Sequence, residues 1–63
     1  MSIKDNLAAN LRLLRSKFGY TQEQISTYLG ITQSAYNKYE AGVNEIPMDK
    51  LEKLATIYNV EEY

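Results

Sequence analysis

Ile3, Leu7, Leu11, Leu14 and Phe18 follow one another at steps of 4, 4, 3 and 4. That spacing lines up along one side of a 3.6-residue helix and scatters over both faces of a strand. No window of four or more residues in the chain alternates with the β-branched enrichment that a strand requires. The fold is thereby limited to helices, and what remains is where they stop. Lys4, Asp5, Arg12, Ser16 and Lys17 fill the polar side of the first helix, while Leu13 falls off the stripe and is expected in solvent.

Three glycines and one proline punctuate the rest. Gly19 offers the left-handed position that closes a helix. Thr21-Gln22-Glu23-Gln24 has the form of a capping box, in which the threonine hydroxyl takes an orphan amide and Gln24 reaches back. The helix it opens carries Ile25 and Leu29 one turn apart and stops at Gly30. Thr32 caps a third helix that ends at Ala41-Gly42. After the loop Val43-Asn44-Glu45-Ile46, Pro47 suits the first turn of a fourth helix, with Met48, Leu51, Leu54, Ala55 and Tyr58 on its buried face. Asn59 can close that helix, with Val60 tucked back, and Glu61-Glu62-Tyr63 leave a stub of a fifth. The expectation is an all-α single domain over residues 1–63, a compact bundle with helices at 3–18, 22–29, 33–40 and 47–58.

What such a bundle can do is bounded by what it lacks. A chain of 63 residues buries only about 60% of its unfolded surface. It has no cysteine and no histidine, which removes disulfides, thiolate zinc sites and the commonest general base together. Neither a Ser-x-x-Lys nor a Gly-x-Ser-x-Gly pattern is present. An enzyme is not expected, nor a metal or other cofactor. Aliphatic runs of two or three residues fall far short of a membrane helix, so no membrane association is expected. Met1-Ser2-Ile3-Lys4-Asp5-Asn6 lacks a basic region followed by an apolar run, so no signal peptide is expected and the location expected is the cytoplasm.

The net charge of −1 argues at first against a nucleic-acid partner. Its distribution softens that. Residues 1–20 carry a net +3, through Lys4, Arg12, Arg15 and Lys17 against Asp5, and residues 21–63 a net −4. An acidic molecule of this kind can still present a neutral or positive face.

Two short helices joined by Leu29-Gly30-Ile31-Thr32 have the length and glycine of a helix-turn-helix. At about 100° per residue, Tyr36 and Tyr39 fall on one side of the third helix. Gln33, Ser34 and Asn37 fall on the other, flanked by Lys38. A solvated face would be rich in Glu and Lys, whereas amides and hydroxyls are the groups that read base edges in a major groove. Six tyrosines could also form a stacking platform for single strands. The helical core spacing of Tyr36, Tyr39 and Tyr58 favours packing instead, with Tyr20, Tyr28 and Tyr63 half-buried.

The run Tyr20-Thr21-Gln22-Glu23-Gln24-Ile25, then Leu29-Gly30-Ile31-Thr32-Gln33-Ser34, then Tyr39-Glu40-Ala41-Gly42 resembles the lambda-repressor/Cro-type helix-turn-helix family, over about residues 3–60. The resemblance implies a lambda-repressor-like bundle that docks its third helix in the major groove of double-stranded DNA as a symmetric dimer; a repressor is expected, on a palindromic operator because one helix reads too few base pairs, and with a weak homodimer because the segment after Asn59 is short. It implies that Gln22 bonds a phosphate and braces the next helix, and that Gln33 is the principal base reader. Thr32 joins the DNA-binding set, Ser34, Asn37 and Lys38 tune base and phosphate contacts, and Asn44 lies where the family's loop meets phosphate. Arg15 and Glu40 match a family ion pair, which as an exposed pair would contribute no more than about 1 kcal/mol. Three departures stand out: Val43-Asn44-Glu45 has no Lys or Arg, Ser26 replaces the usual alanine at the crossing of the second and third helices, and the fifth helix is a stub. The acidic total and non-basic loop keep a second reading open, a protein-interaction module of the same fold. In a homodimer the contact is expected around Ile57, Val60 and Tyr63.

Overall fold

The computed structural model describes residues 3–58, with side chains described from Ala9 onward. Their backbone forms α1 (Ile3–Phe18), α2 (Gln22–Leu29), α3 (Gln33–Glu40) and α4 (Met48–Tyr58), and there is no strand among the described residues. α2 packs most extensively on α3, α3 also on α1, and α2 on α4.

The helix ends form by local hydrogen bonding, as their residue types require. At the start of α2 the Gln24 amide donates to the Thr21 hydroxyl at 3.1 Å, and the Thr21 amide donates to the Gln24 side chain at 2.9 Å. The Ala35 amide donates to the Thr32 hydroxyl at 3.1 Å and caps α3. Between them Gly30 sits at φ 74°, a left-handed conformation that would cost a residue with a Cβ about 1–2 kcal/mol. That conformation turns the Gly30 and Ile31 amides back onto the carbonyls of Thr27 and Ser26, at 3.1 and 3.0 Å. Two carbonyls left over at the helix end are thus satisfied, and the chain is redirected within a few residues.

The redirection buries one set of apolar residues against another. Leu11, Ile25, Leu29, Tyr36, Leu54 and Tyr58 are buried and form the core, drawn from all four helices. Leu11, Ile25, Leu29 and Leu54 each contribute about 1.5–3 kcal/mol on leaving water. Ile46, from the loop before α4, packs against this cluster with Leu14, Tyr20, Ile31, Tyr39 and Ile57. Ser26 is buried as its small size allows, its hydroxyl donating to the Glu23 carbonyl at 2.9 Å.

Four expectations shift at the edges. α4 begins at Met48, and Pro47 stands just ahead of it, its carbonyl accepting from the Lys50 and Leu51 amides at 3.0 Å each. Met48 is 60% exposed rather than buried, since the first turn overhangs the core. Phe18, the last rung of the first stripe, is 44% exposed at the helix end, where it meets Tyr58 edge-on with ring centroids 5.2 Å apart. Tyr28 is exposed too, and its hydroxyl donates to the Lys53 carbonyl at 3.1 Å. Leu13 is in solvent, as its place off the stripe requires. The side chains of Ile3 and Leu7, the Asn59–Val60 closure, the fifth-helix stub and Tyr63 lie outside the described residues.

Candidate nucleic-acid interface

α3 is buried on one side and open on the other. Tyr36 has no exposed surface, and Tyr39 is half-buried with its ring edge-on to Tyr36 at 6.4 Å. Gln33, Ser34, Asn37 and Lys38 are all exposed. Thr32 is exposed as well, but its hydroxyl is engaged in the cap. Asn44 is exposed in the turn after α3, which closes through the Val43 amide donating to the Lys38 carbonyl at 3.0 Å. Gln22 and Gln33 are the first residues of α2 and α3. Helix starts carry unpaired amides and a partial positive charge, the polarity that attracts phosphate.

Behind this face lies a charged cluster. Arg15 holds Glu40 with two donors, Nε to Oε2 at 2.6 Å and Nη2 to Oε1 at 3.1 Å, and its Nη1 donates to the Tyr20 carbonyl at 3.1 Å. Glu40 is only 3% exposed. The ion pair expected from the family match is present, but it is not an exposed pair. Its carboxylate has been taken out of water, and loss of Arg15 would leave a buried charge rather than a solvated one. Gln22 braces the helices as the resemblance implies: its Nε2 donates to Glu40 Oε1 at 3.1 Å and its Oε1 accepts from Asn37 Nδ2 at 3.3 Å.

Two features of this cluster went unread in the sequence. Arg12 donates from Nη2 to the Glu40 carbonyl at 3.0 Å, so that two arginines of α1 grip the end of α3. Their separation of three residues on one helix was the available signal. The other is the Asn37–Gln22 contact, which joins residues 15 positions apart and leaves no local trace.

Burial pulls the Glu40 carboxyl upward, but the hydrogen bonds from Arg15 and Gln22 and the nearby Tyr36 hydroxyl outweigh it and hold it below the usual value of 4.5. Burial pushes the Tyr36 and Tyr58 phenols up, Tyr36 strongly, so both are neutral. Their hydroxyls complete no hydrogen bond of standard geometry among the described residues.

The depressed Glu40 carboxyl sets an acid limit. A carboxyl that ionises more readily folded than unfolded adds stability above its unfolded pKa, and this is lost as the pH falls through its folded pKa. Urea midpoints are expected to decline as the pH drops below 4.5, the usual value for Glu40. Glu40→Gln should be less stable at neutral pH and show a flatter acid limb. An acid limb equally steep in that variant would assign it to other carboxylates.

Among the described residues, no helix is long and apolar enough to cross a membrane. A family model described as helix-turn-helix matches residues 11–63. The chain is 44% identical over 50 residues to an uncharacterised HTH-type transcriptional regulator, YobD of Bacillus subtilis, a match covering 79% of this chain and 45% of that protein. It is 40% identical over 50 residues to the SPbeta prophage-derived uncharacterised HTH-type transcriptional regulator YonR of the same organism, covering 79% and 46%. An uncharacterised HTH-type transcriptional regulator of Sinorhizobium medicae is 34% identical over 55 residues, covering 87% of this chain and 40% of that protein. The matched part of the chain thus corresponds to less than half the length of these relatives. No solved structure matches.

Proposed function

The chain belongs to the lambda-repressor/Cro-type helix-turn-helix family, and from that premise we propose that it binds double-stranded DNA sequence-specifically, as the DNA-binding domain of a cytoplasmic transcriptional repressor. α3 lies in the major groove. Gln33, at its first turn, pairs with adenine N6 and N7 through its side-chain amide. Gln22, Thr32 and Asn44 meet phosphate, Lys38 adds the one cation of the outward α3 face, and Ser34 and Asn37 adjust the base contacts. The observation that carries this is the composition of the open side of α3. Its four exposed side chains at positions 33, 34, 37 and 38 are three uncharged hydrogen-bonding groups and one lysine, directly opposite a fully buried tyrosine.

One third helix reads about four to six base pairs, too few to single out a site among about 10⁶ or more competitors. A second copy related by a two-fold axis supplies the remainder. Each copy takes a half-site about 34 Å from the other, on an operator that reads as an imperfect palindrome. The contact between copies falls at the carboxyl end, around the half-buried Ile57. Val60 and Tyr63, assigned to the same contact, lie outside the described residues.

The test is a salt titration on a duplex enriched from a random pool. A dimer neutralising about two to four phosphates loses about 10- to 10²-fold in affinity between 50 and 200 mM salt. Sedimentation equilibrium on a palindromic duplex should give two copies per duplex. Failure to enrich any duplex, with salt-insensitive capture of a helical protein partner instead, would replace DNA binding by the interaction-module reading that the acidic total favours.

A further inference from the structure

Arg12 and Arg15 stand one turn apart on α1 and both reach the end of α3, yet they are committed to different degrees. Arg15 has all three guanidinium nitrogens engaged inside the protein, Nε and Nη2 on the Glu40 carboxylate and Nη1 on the Tyr20 carbonyl. Arg12 has one. Its Nη2 donates to the Glu40 carbonyl at 3.0 Å, and of the five N–H groups of a guanidinium the other four meet no partner among the described residues. The residue is exposed. Its cation is anchored on one side and open on the other.

The hydrogen bonds around it place that open side. Gln22 joins Asn37 to Glu40, so Arg12 touches α3 on the side that carries the exposed Asn37, one turn nearer the helix start. Beyond Glu40 the chain folds back, with the Val43 and Asn44 amides donating to the Lys38 carbonyl at 3.0 and 3.5 Å. Carbonyls two residues apart on a helix lie about 5 Å from each other, so the Arg12 guanidinium and the Asn44 amide are within about 12 Å. A recognition helix that reads bases with its first residues meets the sugar-phosphate wall of the groove with its last. The turn at that end has no cation of its own. Val43, Asn44 and Glu45 are exposed, and Glu45 has the wrong sign for phosphate. The carbonyls at the end of α3 add partial negative charge.

We propose that Arg12 is a phosphate-binding residue, supplying from α1 the positive charge that the loop after α3 lacks. This rests on the DNA-binding reading above. The bond to the Glu40 carbonyl holds the guanidinium beside the last turn of α3 before DNA arrives, so less side-chain freedom is lost on binding. The contact carries no base preference, because a phosphodiester is the same at every step.

Salt titrations of Arg12 variants on a duplex enriched by the parent chain test this. Arg12→Ala should bind selected and scrambled duplexes more weakly by the same factor, and its salt slope should fall by about 0.9 for each copy bound. Arg12→Gln, which keeps a donor for the Glu40 carbonyl but no charge, should show the same fall, and Arg12→Lys should keep the parent slope. Lys17→Ala is the control. Lys17 is also an exposed cation of α1, but it stands about 140° round the helix from Arg12, so its loss should leave the slope unchanged. Replacing the duplex phosphates one at a time by uncharged methylphosphonate should reveal one phosphate per half-site that matters to the parent and to Arg12→Lys but not to Arg12→Gln. A residue with a structural role alone would lower the urea midpoint when replaced and leave the slope where it was. A parent slope in Arg12→Gln, an equal fall in Lys17→Ala, or the lack of any such phosphate would each overturn the proposal. Those results on an enriched duplex defeat this inference only, whereas the absence of any enriched duplex defeats the DNA-binding reading with it.

Discussion

Arg15→Ala is expected to cost about 3–5 kcal/mol of folding stability. Glu40 is 3% exposed and takes two of its three side-chain bonds from Arg15. Removing the guanidinium leaves a carboxylate that must stay charged in a dry site, take up a proton, or draw in water. It also strips the Tyr20 carbonyl of its donor. For a domain of 63 residues, total stability is about 3–9 kcal/mol, so the variant should be largely unfolded or close to it. Urea denaturation followed by circular dichroism measures this directly. Adding Glu40→Gln to Arg15→Ala should recover a large part of the loss, because no buried charge then lacks a partner. A cost of 1 kcal/mol or less, the range of about 0–1 for solvent-exposed pairs, would show that water reaches Glu40.

Gln33→Ala is expected to cost about 1–3 kcal/mol on the selected duplex and to relax specificity at one base position per half-site, leaving the others intact. Lys38→Ala is expected to weaken binding evenly across sequences and to lower the salt slope, since a cation facing phosphate carries no sequence information. Competition binding with the four bases at each position distinguishes the two patterns. If Gln33→Ala treats selected and scrambled duplexes as the parent does, base reading belongs to another residue.

The exposed face of α3 could be read in advance. Gln33, Ser34, Asn37 and Lys38 share the open side of α3 because the helical repeat puts them there, and Tyr36 opposite them is buried for the same reason. The family resemblance implies a bracing role for Gln22, and its bonds to Glu40 and Asn37 give that role a geometry. Its contact with phosphate is a separate matter, for the duplex experiments. The helical repeat puts Arg12 on the polar side of its helix and says no more, because its grip on the Glu40 carbonyl spans 28 positions. Met48 and Phe18 had the right spacing to be buried, but spacing cannot tell whether a neighbouring helix extends far enough to cover a terminal turn.

By itself, the sequence determined where α2 begins and ends and where α3 begins. Thr21, Thr32 and Gly30 act on amides and carbonyls within five residues of themselves, so their effect is settled before any helix meets another. Only the tertiary structure decided which charges lose their water. Arg15 and Glu40 are 25 positions apart, and Gln22 and Glu40 are 18 apart. Their hydrogen bonds exist because α1, α2 and the end of α3 converge, and the price of burying Glu40 is offset only there. Desolvation is a property of all the surrounding atoms together, and no local pattern of residues encodes it.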